Sequence, residues 1–355
     1  MTSSVAQRMR IFLLPIAAFA LVACSGGPAS TTITESVDGT ETEATTSESS
    51  LAPAGARSFY TFDQTGGGAL VRVDPDNGQV DEVLDLEGSV YAMDQGDDGQ
   101  LWLGTDTGSV LRVDPAAGST IAEVAPTATD GLFDLSVGGD AAWVLHGVPG
   151  AGTSLVRIDT AANTAGEPVA ADEGLSFFDI EAGDDGVWLV GSSPEMATTL
   201  YAVDATTGDL TDQKVQMVID SIASGEGAVW LGGTIFPDGA VGVPGIGKFD
   251  PASGELTTTE LPGEAGSIAV GSGGVWAVAG LGADGATLYR IDPATGALSA
   301  TIPLGEAESG YVKASTGAGA VWVTTAGGKS YAVDPADNSV AGEADSMGTL
   351  GLFFP

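Results

Sequence analysis

The sequence predicts an all-β fold of seven similar sheets in a ring, and three observations lead to this prediction. A turn related to Asp-Pro-x-x-Gly recurs seven times, and successive repeat aspartates lie 40 to 46 residues apart. The six tryptophans keep the same period, each 12 to 20 residues ahead of a repeat aspartate. Short apolar runs rich in Val, Ile and aromatic residues, bounded by Gly, Pro, Asn or Asp, are typical of strands. A period of this length with four strands per unit predicts the blades of a β-propeller.

The sixth repeat illustrates the elements of one blade. Residues 266–273 are predicted as the inner strand, 274–280 as the second, 286–292 as the third and 297–304 as the outer strand. Each run alternates or is apolar throughout, as strands in packed sheets do.

The repeat aspartates are predicted to turn the third strand of each blade into the fourth. Proline after the aspartate fixes φ, the carboxylate can accept backbone amides of the turn, and a final Gly or Asn supplies a positive φ. We therefore interpret these residues as hairpin residues and not as catalytic acids. They are Asp74, Asp114, Asp159, Asp204, Asp250, Asp292 and Asp334. The Asp-Gly pairs at Asp98 and Asp185 predict hairpins between the first and second strands.

The two ends of the repeat region are predicted to complete one blade together. Residues 57–85 supply three strands, one fewer than a blade needs, and residues 346–355 resemble an inner strand. Joining them gives seven four-stranded antiparallel blades, closed by the C-terminal strand, and removes free sheet edges. Six blades with a stray tail is the alternative.

The segments GGVWAV, GAVWVT and GAVWLG, followed by the turn motif, resemble the repeats of YVTN-type and virginiamycin B lyase-like seven-bladed propellers, within the wider quinoprotein-like superfamily. The resemblance covers the folded region and implies the fold, not an activity, because the motif residues are turn and core residues. Quinone-binding propellers carry their characteristic Trp after the glycine, on the outer strand. Here the Trp precedes the third strand, which argues against a quinone cofactor. Streptogramin lyases of this family use a histidine with nearby acidic metal ligands. This sequence has no second histidine and no matching His-x-Glu cluster, so the resemblance assigns that chemistry to no residue here.

The N-terminal segment predicts export. Two arginines precede an apolar run at residues 11–23, which is the form of a secretory signal peptide. The run is short of the roughly 20 residues of a membrane-spanning helix, so a retained span is the weaker alternative. The residues Leu-Val-Ala-Cys ending at Cys24 resemble the bacterial lipobox, which implies lipidation of Cys24 and anchoring to the cell membrane. Secretion with an unmodified Cys24 is the other alternative.

Composition sets the remaining boundaries. Residues 24–56 comprise the lipidated cysteine and a Ser/Thr/Glu-rich tether without aromatic residues, which cannot bury enough surface to fold. We therefore expect a signal peptide over 1–23, this tether, and a propeller over 57–355, located outside the cytoplasm. The chain has 48 acidic and 11 basic residues, and this charge excludes nucleic-acid binding. We expect a monomer that folds without disulfides, since Cys24 is the only cysteine.

Inner strands line the axis of a propeller, so polar residues nine positions before each Trp are candidates for the channel wall. They are Asp134, Asp179, Ser221, Ser267 and Lys313, with Ala92 at a shifted position in the second blade. Asp134 and Asp179 come from adjacent blades and could share a Ca²⁺ or Mg²⁺ ion, with water and a carbonyl or Asp220 as further ligands. The alternative is a solvated polar wall, and we predict no other cofactor.

Five basic residues stand two positions before a repeat aspartate, where each can pair with that aspartate or with the next blade. They are Arg72, Arg112, Arg157, Lys248 and Arg290. The only histidine, His146, is either a packed residue or a base.

Two functional hypotheses follow. The first is a lipid-anchored propeller that acts as a binding or scaffold module for a protein, peptide or small molecule at its top face or channel. The alternative is a metal-dependent lyase or lactonase-like hydrolase, with Asp134 and Asp179 at the metal and His146 as the base.

Overall fold

The computed structural model describes residues 58–63, 68–77, 79–86, 88–125, 131–148, 152–172, 175–183, 185–193, 197–237, 241–279, 285–305, 312–317, 319–325 and 329–345. All of them belong to one compact unit, Glu48–Pro355. The regular elements of these segments are β-strands, and the segments contain no helix long and apolar enough to cross a membrane. The predicted signal peptide, Cys24 and the tether lie outside the described residues.

The strands follow one another along the chain with short connections. In order they are β1 (Phe59–Asp63), β2 (Ala69–Asp74), β3 (Gln79–Asp85), β4 (Val90–Gln95), β5 (Leu101–Thr105), β6 (Val110–Asp114), β7 (Ser119–Val124), β8 (Leu132–Gly138), β9 (Ala141–Val148), β10 (Gly152–Asp159), β11 (Thr164–Ala165), β12 (Val169–Ala170), β13 (Ser176–Gly183), β14 (Gly186–Ser192), β15 (Thr198–Val203), β16 (Leu210–Gln213), β17 (Met217–Gly225), β18 (Ala228–Ile235), β19 (Val243–Asp250), β20 (Glu255–Glu260), β21 (Ser267–Gly271), β22 (Gly274–Ala279), β23 (Ala286–Ile291), β24 (Leu298–Gly305), β25 (Val312–Gly317), β26 (Ala320–Thr325), β27 (Lys329–Val333) and β28 (Val340–Asp345).

These strands form seven antiparallel sheets, numbered here as blades 1 to 7 in chain order. Blades 2, 4, 5, 6 and 7 each contain four strands in sequence order, and blade 6 consists of β21 to β24, as predicted. In blade 3 the outer strand is divided into β11 and β12, which both pair with β10. Blade 1 contains β1 to β3 in the described part of the chain, and the closing strand predicted at 346–355 lies outside it.

The blades close into a ring, because a hydrophobic cluster joins each pair of consecutive blades, including the last and the first. The last contact packs Phe59 of blade 1 against Trp322 of blade 7, with ring centroids 4.7 Å apart. Between blades 4 and 5, Trp188 meets Phe249 edge to face at 5.6 Å. The prediction of a seven-bladed β-propeller is confirmed, and the six-bladed alternative is wrong.

The repeat aspartates stabilise the turn between the third and fourth strands. In blade 6, Oδ1 of Asp292 accepts the amides of Ala294 and Thr295, both at 2.9 Å. Gly296 ends the turn with φ +73° and donates its amide to the Asp292 carbonyl. In blade 7 the same position is taken by Asn338 with φ +63°.

The basic residue two positions before the aspartate links neighbouring blades. The Arg290 guanidinium lies 4.9 Å from the ring centroid of Trp276 and donates to the carbonyl of Pro335 and to Oδ1 of Asn338 in the turn of blade 7. Arg112, Arg157 and Lys248 likewise lie over the Trp of their own blade and donate to the turn of the next one. Arg112 and Arg157 also form ion pairs with Asp98 and Asp140 of their own blades, at 2.7 and 2.8 Å. For Arg72 the hydrogen bond within the described residues goes to Asp81 of its own blade, at 2.8 Å.

Candidate functional site

The inner strands of blades 2 to 7 enclose a cavity of about 460 Å³ along the propeller axis. Its wall includes all five residues that the sequence placed in the channel. These are Asp134, Asp179, Ser221, Ser267 and Lys313. The nine-residue offset from each Trp therefore identifies the channel face of the inner strand.

A β-bulge occurs near the start of the inner strand in blades 2 to 5. In each of these blades the register with the second strand shifts by one residue, which leaves one side chain out of the ladder. The four bulged residues are Tyr91, Phe133, Phe178 and Asp220. Phe133, Phe178 and Asp220 also line the cavity. Aromatic side chains thus stand beside the predicted channel residues on two adjacent blades.

The cavity wall also contains a second set of polar residues that the sequence analysis missed. Asp94, Ser136, Glu181 and Ser315 each stand opposite the Trp of their own blade and line the same cavity. Glu181 follows Asp179 by two positions, and residues two apart on a strand share a face. The alternation of side chains along the inner strand therefore already indicated that Glu181 faces the channel.

Carboxylates of one blade accept backbone amides from the inner strand of the next. Oδ2 of Asp134 accepts the Ile180 amide at 3.0 Å, and Oδ2 of Asp179 accepts the Ile222 amide at 3.2 Å. The amides on the channel edge of an inner strand have no ladder partner, and a buried amide without a partner is costly. The channel side chains therefore help to hold adjacent blades together.

The other two carboxylates, of Asp94 and Glu181, make the same type of contact. Oδ2 of Asp94 accepts the Val137 amide at 2.7 Å. Oε1 of Glu181 accepts both the amide and the hydroxyl of Ser224 at 3.1 Å. Ser136 also accepts the Ala182 amide, at 2.9 Å. Blade 3, through Asp134 and Ser136, and blade 4, through Asp179 and Glu181, therefore each contact the following blade with two side chains.

Burial raises the pKa of every one of these acids, although part of each side chain still faces the lumen. The pKa of Asp94 and that of Asp134 rise to about 6, and that of Glu181 rises to about 7. For Asp179, burial and the charges of Asp134 and Glu181 raise the pKa well above its usual value. The acids therefore resist simultaneous ionisation, because like charges in a poorly solvated space disfavour the charged form.

Lys313 is the one basic side chain among the described wall residues. Its positive charge opposes the effect of burial, because it lowers the pKa of Asp94, Asp134 and Asp179. The channel wall therefore combines five carboxylates, those of Asp94, Asp134, Asp179, Glu181 and Asp220, with a single ammonium group, and its interior favours positive charge.

Two other predicted parts of the site were the base His146 and a metal ion. His146 is fully buried on β9, where it stands opposite Leu132 and Ser154, and it is not among the residues lining the cavity. Within the described segments, no group of three or more His, Cys, Asp or Glu side chains is placed to hold a metal ion. Both carboxylate oxygens of Asp134 already accept amides, from Leu135 and Ile180. The metal ion bound by Asp134 and Asp179 stays a prediction.

Comparison with known proteins agrees on the fold. No protein-family model matches the chain, and a search of curated proteins gives no match. Among solved structures, a protein assigned as a 6-phosphogluconolactonase from Bacteroides fragilis gives a TM-score of 0.60 at 13% identity, over 84% of this chain and 98% of that chain. Hydrazine synthase of Kuenenia stuttgartiensis gives 0.56 at 14% identity, over 89% and 100%. BamB from Moraxella catarrhalis gives 0.50 at 14% identity, over 86% and 87%. Likeness at this level of identity shows the propeller fold alone.

Proposed function

We propose that this protein is an exported, lipid-anchored β-propeller that binds a small molecule or an inserted side chain in its axial channel. The observation that carries the proposal is the cavity of about 460 Å³ whose wall combines carboxylates, hydroxyls, an ammonium group and aromatic rings. A cavity of this size with a few converging polar groups is typical of a ligand-binding site. The proposal describes a binding module and not a catalyst.

The enzymatic alternative finds no specific observation in its favour. His146 was its candidate base, and this residue is buried between two strands of blade 3 rather than on the channel wall. The described channel also lacks a three-residue cluster that could hold the metal. Titration with Ca²⁺ and Mg²⁺ remains a direct test, because an ion that binds the native state must raise the melting temperature.

Ligand binding in the channel is tested by thermal melting against a chemically varied set of small molecules. Asp220→Trp narrows the channel, because Asp220 is a bulged residue that lines the cavity. Asp209→Trp adds the same side chain at an exposed position in the turn between β15 and β16. We expect ligands that raise the melting temperature of the wild type and of Asp209→Trp, and not that of Asp220→Trp. Stabilisation of all three proteins by the same ligands would place binding outside the channel.

Anchoring through Cys24 is tested separately. Mass spectrometry of the mature N-terminus should show an acylated cysteine, and Cys24→Ala should move the protein from the membrane fraction to the soluble fraction. Two acyl chains hold a protein far more firmly than one, because each buried methylene adds about 0.8 kcal/mol. An unmodified mature N-terminus would refute the lipid anchor and leave the channel proposal unaffected. We expect the exported protein to sediment as a monomer.

A further inference from the structure

Apolar surface and negative charge occur side by side on one part of the channel wall. The bulge of blade 3 places Phe133 next to Asp134, and the bulge of blade 4 places Phe178 next to Asp179. All four side chains line the cavity. Two adjacent blades therefore present the same pair, an aromatic ring followed by a carboxylate, to the same space.

Contact between blades does not by itself require these carboxylates. In blade 6, the hydroxyl of Ser267 accepts the Ala314 amide at 3.2 Å, as Asp134 accepts the Ile180 amide at 3.0 Å. A hydroxyl makes this bond without the cost of burying a charge. The acidic residues of blades 3 and 4 therefore offer more than the inter-blade bond needs, namely negative charge towards the lumen.

The channel already contains one group of the opposite charge. Lys313, on blade 7, extends an alkylammonium side chain into the cavity wall, and its charge acts on Asp134 and Asp179. With Asp94, Glu181 and Asp220, the acids outnumber it five to one among the described wall residues. The chemistry of the wall thus suits a second cation of the same kind.

We propose that the channel binds an alkylammonium ion, the group shared by organic amines and lysine side chains, with its nitrogen at Asp134 and Asp179 and its methylenes against Phe133 and Phe178. This inference rests on the proposed function, because it names the ligand class of the same site. Aromatic faces attract cations, and carboxylates accept the three N–H donors of an ammonium group in short, strong hydrogen bonds. Lys313 is the resident cation with which the ligand competes.

An organic cation suits this wall better than a metal ion does. A metal ion requires several oxygen ligands at about 2.0–2.6 Å from one point. The channel acids instead come from four consecutive blades, and those of blades 2 to 4 accept backbone amides. Within the described residues, no group of three such side chains is placed to hold a metal ion. A flexible chain of methylenes can fill a cavity of about 460 Å³ and make contacts along it.

The test is isothermal titration calorimetry on the full-length protein in detergent, at low and moderate salt. The probes are spermidine, a short peptide with one lysine, the same peptide with that lysine acetylated, and a neutral diol. We expect the two amine probes or one of them to bind, and the acetylated peptide and the diol not to bind. Binding of spermidine alone would indicate free amines as the natural ligand, and binding of the lysine peptide alone would indicate a protein side chain.

Variants connect the binding to named residues. Asp134→Asn with Asp179→Asn keeps one oxygen acceptor on each side chain for the amide of the next blade and removes both charges, and it should weaken amine binding by about ten-fold or more. Lys313→Gln removes the competing ammonium and should strengthen binding by about three-fold or more. The control pair, Asp209→Asn with Glu255→Gln, removes two exposed charges and should leave the affinity unchanged.

Four results would overturn the inference. If the channel double variant and the control double variant weaken amine binding equally, the binding is a general attraction of cations to an acidic surface. Stabilisation by Ca²⁺ or Mg²⁺ without any binding of amines would indicate a metal site instead. Suppose that neither amine probe binds, while another molecule from the melting screen stabilises the wild type and not Asp220→Trp. This result would refute an alkylammonium ligand and leave the proposed function standing. Absence of any channel-dependent ligand would refute both.

Discussion

The substitution Glu181→Gln tests the electrostatics of the channel most directly. Burial, with the nearby charge of Asp94, raises the pKa of Glu181 from 4.5 to about 7. Glutamine has nearly the same shape, and its Oε1 can still accept the amide and the hydroxyl of Ser224. The variant therefore keeps the contact between blades 4 and 5 and removes only the ability to ionise.

The direction in which pH changes the stability follows from the raised pKa of Glu181. Below pH 4.5 the residue is protonated in the folded and in the unfolded chain, so it has no effect on stability through charge. Between pH 4.5 and 7 the unfolded chain loses the proton first, and the free energy of unfolding falls as the pH rises. A shift from 4.5 to about 7 corresponds to about 3 kcal/mol, which water in the lumen reduces to about 2–3 kcal/mol.

We therefore expect Glu181→Gln to melt close to the wild type at pH 4.5 and about 4–6 °C higher at pH 8, since a domain of this size gains about 2 °C per kcal/mol. Differential scanning calorimetry across this range measures the difference. Glu255→Gln, on the exposed outer strand of blade 5, is the control for the loss of one negative charge. A difference between Glu181→Gln and the wild type that stays constant with pH, or a lower melting temperature at pH 8, would refute the assigned pKa.

Two further predictions concern the repeat unit. Arg290→Ala should lower the free energy of unfolding in urea by about 2 kcal/mol, because it removes both the contact with Trp276 and the bonds to the turn of blade 7. Arg72→Ala is its control and should have no measurable effect, since Arg72 is half exposed and pairs within its own blade; equal effects would contradict the role of the link between blades. Gly296→Ala should cost about 1 kcal/mol relative to Gly296→Asn, because the position has φ +73° and asparagine occupies the same position in blade 7. If alanine and asparagine are equally stable there, the left-handed turn is not the constraint.

The sequence allowed the fold to be predicted because each local signal repeats. The turn at Asp292 depends on residues within five positions, and proline, aspartate and glycine act there through local geometry. The partner of Arg290 could not be derived in the same way. The sequence allowed its own aspartate or the next blade, and the choice depends on how the sheets are rotated relative to each other, which is a tertiary property.

The candidate site was predicted only in part, and the bulges explain the difference. A bulge inserts one residue and exchanges the faces of the residues before it, so alternation alone misplaces them. Phe178 and Asp179 are neighbours in the chain, yet both line the channel because the ladder omits Phe178. Glu181 lies beyond the bulge and obeys the alternation, and testing two positions further along each inner strand would have found it. The closing strand at 346–355 stays a prediction.

The two roles of the channel acids, inter-blade contact and ligand binding, can be separated by serine. Ser267 already shows that a hydroxyl at this position accepts the amide of the next blade. Asp134→Ser with Asp179→Ser should therefore preserve the ring and remove two of the five acids that line the cavity with Lys313. We expect this variant to melt higher than the wild type at pH 8, because burial raises the pKa of both acids and the cost of ionising them in the folded protein is gone.

The same variant should bind neither amine probe. Gain of stability with loss of binding is the outcome expected of residues retained for a ligand at the expense of the fold. Calorimetry and titration on one preparation measure both quantities, and Asp209→Ser, in an exposed turn, controls for serine itself. A serine variant that melts lower than the wild type at pH 8 would instead mean that the carboxylates stabilise the ring in a way that a hydroxyl cannot, and their structural role would then account for their presence.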